Sequence, residues 1–560
     1  MRKASRAKKC FWALLLSVSL VGMQLGAQSG TQDDGVLRVT TRLVQISVVV
    51  HDKNGMPVRD LTKEDFALFD KGQEQKILFF SKESSEVPRV NAPPLEPGVV
   101  SNRFANFTSE GQKHLAPLPA SLTVILLDGL NTSFTDQHYA KEALIKFLNQ
   151  LQPGDRVAIY TLSNGLRVLH DFTSDTGSLL EALAKHRNQT SFALDNSSYD
   201  DSNSGDDNLD AFLDQANERV ANFYQARRIQ TTLDALETIS RHLAGMPGRK
   251  NLIWLSGSFP AIVGQGTDGA PGQDFQNFSD EIQRALRTVN DVGISIYPVD
   301  ARGLMGAFAT MPSMDVSRRA PPPRGGRGPQ PVDQRAQNQI LQTQGTMHEI
   351  ADRTGGRAFM NSNDLTGAIR RAIDDSRFSY VLAYTPSHNQ WDGKFREIKI
   401  KLKRPNLEAR YRQGYFAYPD NPSDAKSREA VLVAAASTPL SSTGLGMLAT
   451  VAQAPTPSVP RTLIRVGIDA HEVAFSRNAE GKHEAALDVF VVVFDDNGKG
   501  LHQQARTIRL SLDQTLYDQA LAKGIVLAAD SDAPPKSARA RVVVHDVSSG
   551  LVGSLDLPLK

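Results

Sequence analysis

Cysteine is almost missing from this chain. Cys10 is the only one in 560 residues, so no disulfide framework holds the fold and stability must come from packed cores. An excess of charge of one sign is missing too, since 63 basic residues stand against 61 acidic ones. Five of the basic residues, Arg2, Lys3, Arg6, Lys8 and Lys9, crowd the N-terminus, and without them the balance is 58 to 61. A chain this close to neutral has no electrostatic footprint for nucleic acid. A long apolar run occurs in one place only, Cys10 to Met23, followed by Leu25-Gly26-Ala27. It is shorter than the roughly 18 residues of a membrane span. With its basic flank and small-residue end, residues 1–27 read as a secretory signal peptide, the alternative being an uncleaved signal anchor. The expectation is a secreted or periplasmic protein with no membrane span after cleavage.

Enzyme signatures are also missing. There is no His-Glu-x-x-His, no Walker loop and no Gly-x-Ser-x-Gly elbow. His51-Asp52, His170-Asp171 and His348-Glu349 are single pairs without a third member at metal or triad spacing, and read as ordinary strand-edge or helix pairs. The chain is therefore expected not to be an enzyme, with an envelope hydrolase as the least favoured class.

What is present is a long alternation of patterns. At 560 residues the chain exceeds the size at which one core stops growing. Residues 36–86 alternate with period two around Asp52-Lys-Asn-Gly55 and Asp70-Lys-Gly72, and predict an N-terminal β module. Thr62 and Asp65 have capping-box spacing within it. Residues 87–119, rich in Pro, Ser and Asn, read as a linker. From 120 to 378 apolar strands alternate with helical stripes. The strands are Ser121–Asp128, Arg156–Ser163, Arg167–Phe172, Asn251–Ser256 and Gly293–Asp300; the stripes include Ala140 to Leu151 and Ile229 to Leu243. This order predicts a doubly wound, mainly parallel α/β sheet, Rossmann-like in its layering. Two insertions interrupt it, 188–214 and 303–338, both too polar to fold alone. Residues 379–419 return to period two and are expected to pair with the N-terminal module, because isolated strands are marginal. Residues 420–460 read as a second linker, and 461–560 as a C-terminal β-sandwich.

The centre of the chain is Ser121-Leu-Thr-Val-Ile-Leu-Leu-Asp128-Gly-Leu-Asn-Thr132. An apolar run that stops on an aspartate and turn residues reads as a buried strand, and ligands of such sheets bind at the strands' carboxyl ends. The order of this strand, its helix and Asn251-Leu-Ile-Trp-Leu-Ser-Gly257 resembles the von Willebrand factor type A (VWA) domain. Gly248 to Ser256, Ile296-Tyr-Pro-Val-Asp-Ala-Arg-Gly303, Tyr380-Val-Leu-Ala-Tyr-Thr-Pro386 and Asp65 to Gly72 resemble a secreted acidobacterial subgroup of that family.

The resemblance implies a divalent ion at the top of the sheet, held by Asp-x-Ser-x-Ser, a threonine from a second loop and an aspartate after a later strand. Mg²⁺ or Mn²⁺ is the implied cofactor, and octahedral oxygen coordination suits the former. Asp128 matches the first aspartate. Leu130 replaces the first serine, Thr132 the second, and Ser256 the later aspartate. Thr231 or Thr232, placed at the start of a helix, matches the second-loop threonine. Asp300, at the end of a neighbouring strand, lies outside the family's motif and is put forward to restore the missing charge. The plainer reading has Asp128 and Asp300 accepting backbone N–H bonds.

Two weaker signals fall in the insertions. Asp200 to Asn208 has the oxygen spacing of a calcium loop, but Ala211 stands where the bidentate glutamate belongs, and it reads as a solvated acidic loop. The Arg318 to Arg327 run has no interleaved aromatics and reads as a solvated loop.

The functional expectation is an adhesion-type module that binds a protein or a cell-envelope polymer at the top of the central sheet, metal-assisted or metal-free. The alternative is a structural or assembly component of an envelope complex whose metal site is vestigial.

Overall fold

The computed structural model describes residues 43–84, 95–103, 121–152, 154–189, 191, 194, 207–258, 279–303, 332–388, 390–417, 424–454, 456 and 458–559. Residues 1–27, read from the sequence as a signal peptide, the Asp200 to Asp206 stretch and the Arg318 to Arg327 run lie outside the described residues.

The central domain has five strands: β1 (Ser121–Asp128), β2 (Val157–Leu162), β3 (Leu166–Thr173), β4 (Arg249–Ser256) and β5 (Ile294–Asp300). They lie side by side in the order β5-β4-β1-β2-β3. All neighbours run parallel except the edge pair β2 and β3, which is antiparallel. The fold is thus mixed α/β around one mixed sheet. β1, β2 and β4 are apolar along nearly their whole length because both sheet faces are covered. One face packs Val124, Leu126, Tyr160 and Trp254 against Leu236, Ile239, Met347 and Ile350. These last come from α3 (Asp207–Leu243) and α5 (Val332–Thr354), with α4 (Ser279–Val292) beside them. The other face packs Ile125, Ile159, Ile253 and Val299 against Leu144, Phe147, Leu179 and Ile369, from α1 (Phe134–Leu148), α2 (Thr176–Lys185) and α6 (Leu365–Arg377). Each such side chain contributes roughly 1.5–3 kcal/mol by leaving water.

Strand Val44–Asp52 runs antiparallel to Phe378–Tyr384, with Val44 opposite Tyr384. Phe66–Asp70 pairs with Phe395–Leu402. One core, including Ile46, Leu68, Tyr380 and Ile398, fills the space between these sheets. Thr62 and Asp65 form a reciprocal capping box around a single 3₁₀ turn.

Four stretches differ from the sequence expectation. Within 87–119, Val99–Ser101 is a strand that pairs with Met447–Gln453 of the C-terminal unit. Within 420–460, Ala425–Ser437 is a helix, capped by Asp424 accepting from Ser427 N, and it buries Leu432, Ala435 and Ala436 against Phe490 and Val543. The C-terminal sandwich is therefore larger than 461–560. Alanine is the best helix former, so an Ala-rich connector with an Asp cap was a helix in waiting, whereas a three-residue strand is too short to show periodicity. The insertions are also shorter than read, since α3 begins at Asp207 and α5 at Val332.

Both β units attach to the lower end of the central sheet, where β4 starts. Arg249 Nη1 donates to Ser47 Oγ at 2.6 Å, and Arg412 Nη1 to the Asn290 carbonyl at 2.8 Å. The C-terminal sandwich meets the end of α3, where Gly245 N donates to Thr443 Oγ1 at 2.9 Å and Thr443 N to the Arg241 carbonyl at 3.0 Å. A side chain at Gly245 would run into the Thr443 carbonyl and the Arg103 guanidinium, so only glycine lets the two backbones approach here. Among the described residues these attachments leave the opposite end of the sheet, where β1 and β4 stop, clear of both sandwiches.

Candidate functional site at the top of the sheet

At that upper end β1 stops on Asp128 and the chain turns. Leu130 N donates to the Leu162 carbonyl at 2.9 Å, and Asn131 N to Asp128 Oδ1 at 3.0 Å. Ser133 then caps α1 by accepting from Asp136 N at 3.2 Å. Leu130 does not face the site. It is 3% exposed and packs into the core beside β1 and β2, which explains an apolar residue where the VWA motif it resembles has a hydroxyl.

Asp128 itself is 1% exposed. Its Oδ2 accepts three hydrogen bonds at 2.9 Å, from Asn131 Nδ2, Trp254 Nε1 and Ser256 Oγ. Trp254 and Ser256 lie two apart on β4 and therefore on one face of it. The Asn131 amide also donates to Thr232 Oγ1 at 3.0 Å. Its Oδ1 accepts from Arg228 Nε and Nη2, both at 3.0 Å. Arg228 Nη2 further donates to Ser258 Oγ at 3.2 Å, and Ser258 Oγ to the Asn131 carbonyl at 3.1 Å. Thr132 Oγ1 accepts from Gly257 N at 2.9 Å, tying the loop after β1 to the loop after β4. Burial pushes the Asp128 carboxyl above its ordinary range, opposed by the bonds from Asn131, Trp254 and Ser256. Burial also lowers Arg228, opposed by the Asp128 charge.

Four of the six residues singled out from sequence thus share one network: Asp128, Thr132, Thr232 and Ser256. Two do not. Thr231 is not at the start of a helix but in the middle of α3, and its hydroxyl donates back to the Arg227 carbonyl at 2.9 Å on the exposed side. Asp300 ends β5 but is taken by its own turn. Arg302 grips both its oxygens, Nε to Oδ1 at 2.9 Å and Nη2 to Oδ2 at 2.7 Å, and Arg302 N donates to Oδ1 at 3.0 Å. Its charge is spent locally and does not reach Asp128. Asn131, Trp254, Ser258 and Arg228 were missed. Trp254 was readable from the two-residue period of β4, and Arg228 from standing one helical turn before Thr232. Nothing in the sequence says that α3 passes over these loops.

The donor set does not fit Mg²⁺ or Mn²⁺. Such an ion needs about six oxygen ligands with lone pairs turned inward, whereas the groups facing Asp128 are N–H and O–H donors. Among the described residues no cluster of three or more His, Cys, Asp or Glu side chains is placed to hold a metal. Beside Asp128, Thr132, Gln137 and Ser163 bound a cavity of about 30 Å³, room for a water or two but not for a partner's side chain. Two of the three His–carboxylate pairs have partners of their own: His51 bonds Asp375 at 3.3 Å, and His170 Nδ1 the Asp171 carbonyl at 2.6 Å.

No family model matches this chain, and no curated protein does. Part of it is similar to solved structures. An aerotolerance-related membrane protein from Bacteroides fragilis NCTC 9343 is 14% identical, with a TM-score of 0.25 over 46% of this chain and 98% of the other. Proximal thread matrix protein 1 from the mussel byssus, with a zinc-occupied MIDAS motif, is 11% identical, with a TM-score of 0.20 over 46% and 48%. The vWF domain of the type V pili tip protein Mfa5 from Porphyromonas gingivalis is 15% identical, with a TM-score of 0.17 over 30% and 50%. Among the described residues no helix is long and apolar enough to cross a membrane.

Proposed function

We propose that this is a secreted or periplasmic VWA-type interaction protein that binds a partner protein and does no chemistry on it. The contact surface is the upper end of the central domain, but not its buried oxygen cluster. The observation that carries this reading is the first part of α3. The helix has 37 residues, and Ile229 is the first of them described as buried. Arg228 and Thr232 sit at the level of the upper loops, and the helix runs downward from there into β4. Residues 207–228 therefore project above the sheet as an arm of about 33 Å.

The arm carries Leu209, Phe212, Val220 and Phe223 at 47%, 66%, 49% and 60% exposure. Spacings of three, eight and three residues put them on one stripe. Phe134, 55% exposed at the start of α1, stands at the same end. An exposed apolar stripe with two aromatics on a projecting helix suits a groove on another protein, with the phenylalanines as anchors. A hydrated cell-envelope polymer offers no such groove.

A photo-crosslinking residue at position 212 or 223 should trap one species from envelope extract, equally with and without chelator. The same residue at the exposed Val433 on the C-terminal unit should not trap it. Trapping from position 433 alone would sink the reading.

A further inference from the structure

We infer that Arg228 is a built-in cation: its guanidinium takes over the charge-balancing and loop-tying role of a bound ion, so that the upper loops are ordered without any metal. The reasoning starts from Asp128. A buried carboxylate is costly unless hydrogen-bonded and charge-compensated. Its direct donors, Asn131, Trp254 and Ser256, are all neutral. The cation reaches it through one amide. Asn131 turns its nitrogen to Asp128 at 2.9 Å and its oxygen to Arg228 at 3.0 Å, so the amide dipole lies along the field between the two charges.

Arg228 also joins three separate segments. It lies on α3, bonds Asn131 after β1 and bonds Ser258 after β4. One helical turn on, Thr232 bonds the same Asn131 amide and donates back to the Arg228 carbonyl at 2.8 Å. A divalent ion in a loop cluster does these two things, neutralising a carboxylate and pinning strand ends to a helix. Here the pinning group is covalently attached, stays protonated and cannot be chelated. Its planar fork suits the Asn131 oxygen, to which Nε and Nη2 both donate. Because Arg228 stands at the root of the α3 arm, it also fixes where the arm leaves the body. Arg228 is in this sense a positioning residue.

The test uses the full mature chain, read by thermal melting and by the emission of Trp254, whose indole touches Asp128. In the wild-type protein, EDTA followed by millimolar Mg²⁺, Mn²⁺ or Zn²⁺ should move neither signal. Arg228→Ala should lower the melting temperature and shift the emission, and the emission shift should vanish when Trp254 is replaced by Phe. Methylguanidinium should restore the alanine variant, and Mg²⁺ should not. Arg228→Lys should lie between wild type and alanine, keeping the charge but losing the fork. A chelator-reversible, saturable metal response in the wild type would overturn the inference. So would an alanine variant indistinguishable from wild type, or one restored by a divalent ion in place of methylguanidinium. If the alanine variant does not fold, the lysine variant and the wild-type titrations decide the matter: a lysine variant that melts and emits as wild type does would show that no fork is needed and would overturn it equally.

Discussion

The two halves of α3 carry the same kind of apolar stripe and put it to opposite uses. From Ile229 to Leu243 the stripe is Ile229, Leu233, Leu236, Ile239 and Leu243, all nearly inaccessible and packed against β1, β4 and α4. From Leu209 to Phe223 it is Leu209, Phe212, Val220 and Phe223, all exposed. Periodicity tells which face of a helix is apolar. It does not tell whether anything lies against that face. One half holds the domain together, and the other turns its stripe outward.

The sharpest way to break it is to truncate both halves alike. Ile239→Ala should cost about 2–5 kcal/mol in denaturant unfolding, because the cavity is enclosed by core. Phe223→Ala, at 60% exposure, should change stability by no more than ~0.5 kcal/mol. In crosslinking or pull-down, however, the pair Phe212→Ala and Phe223→Ala should cost roughly tenfold or more in affinity, as anchor aromatics do. Equal stability losses in the two halves would mean that the arm is packed in solution.

The junction between the halves comes next. Asp128→Ala removes the acceptor shared by Asn131, Trp254 and Ser256 and should cost about 3 kcal/mol through donors left unpaired. Loss of binding without loss of stability would instead point to a ligand-contacting role.

Acid should act on the buried half first. Burial lowers the affinity of His242 for a proton below its ordinary value of 6.5, with the Asp171 charge opposing, so the folded chain binds fewer protons there than the unfolded chain. Stability is then fully present above about pH 6.5 and falls as pH drops below it. A denaturant midpoint followed from pH 7.5 to pH 5 should decline, and His242→Gln should flatten the curve. The smallest effect separates two neighbours: Thr232→Ala, buried and bonded to Asn131, should cost about 1 kcal/mol, and Thr231→Ala almost nothing.

Much of this protein can be read from its residues. The strand that ends on Asp128, the stop at Ser256 and the alternation of strands with helical stripes follow from local physics: β-branched and leucine-rich runs, turn residues, capping aspartates. The same physics gives the pairing capacity of Asp128, Thr132, Thr232 and Ser256, since all four offer oxygen near strand ends or on one helix face. It does not give their chemistry. The absence of a second carboxylate looked like an eroded ion site, to be repaired by Asp300. Arg302, two residues on, had already claimed that aspartate, and the missing charge came from a guanidinium 97 positions from Asn131.

The division follows from distance along the chain. Residue order alone settled most of the strands and helices of the central domain and which of their faces are apolar, because those depend on neighbours within a few positions. The folded arrangement alone settled that Val99–Ser101 joins a sandwich more than three hundred residues later, that Arg228 answers Asp128, and that the first half of α3 carries its stripe outside the core. Those outcomes depend on which surfaces meet, and a pattern repeated every 3.6 residues looks the same whether protein or water lies on its far side.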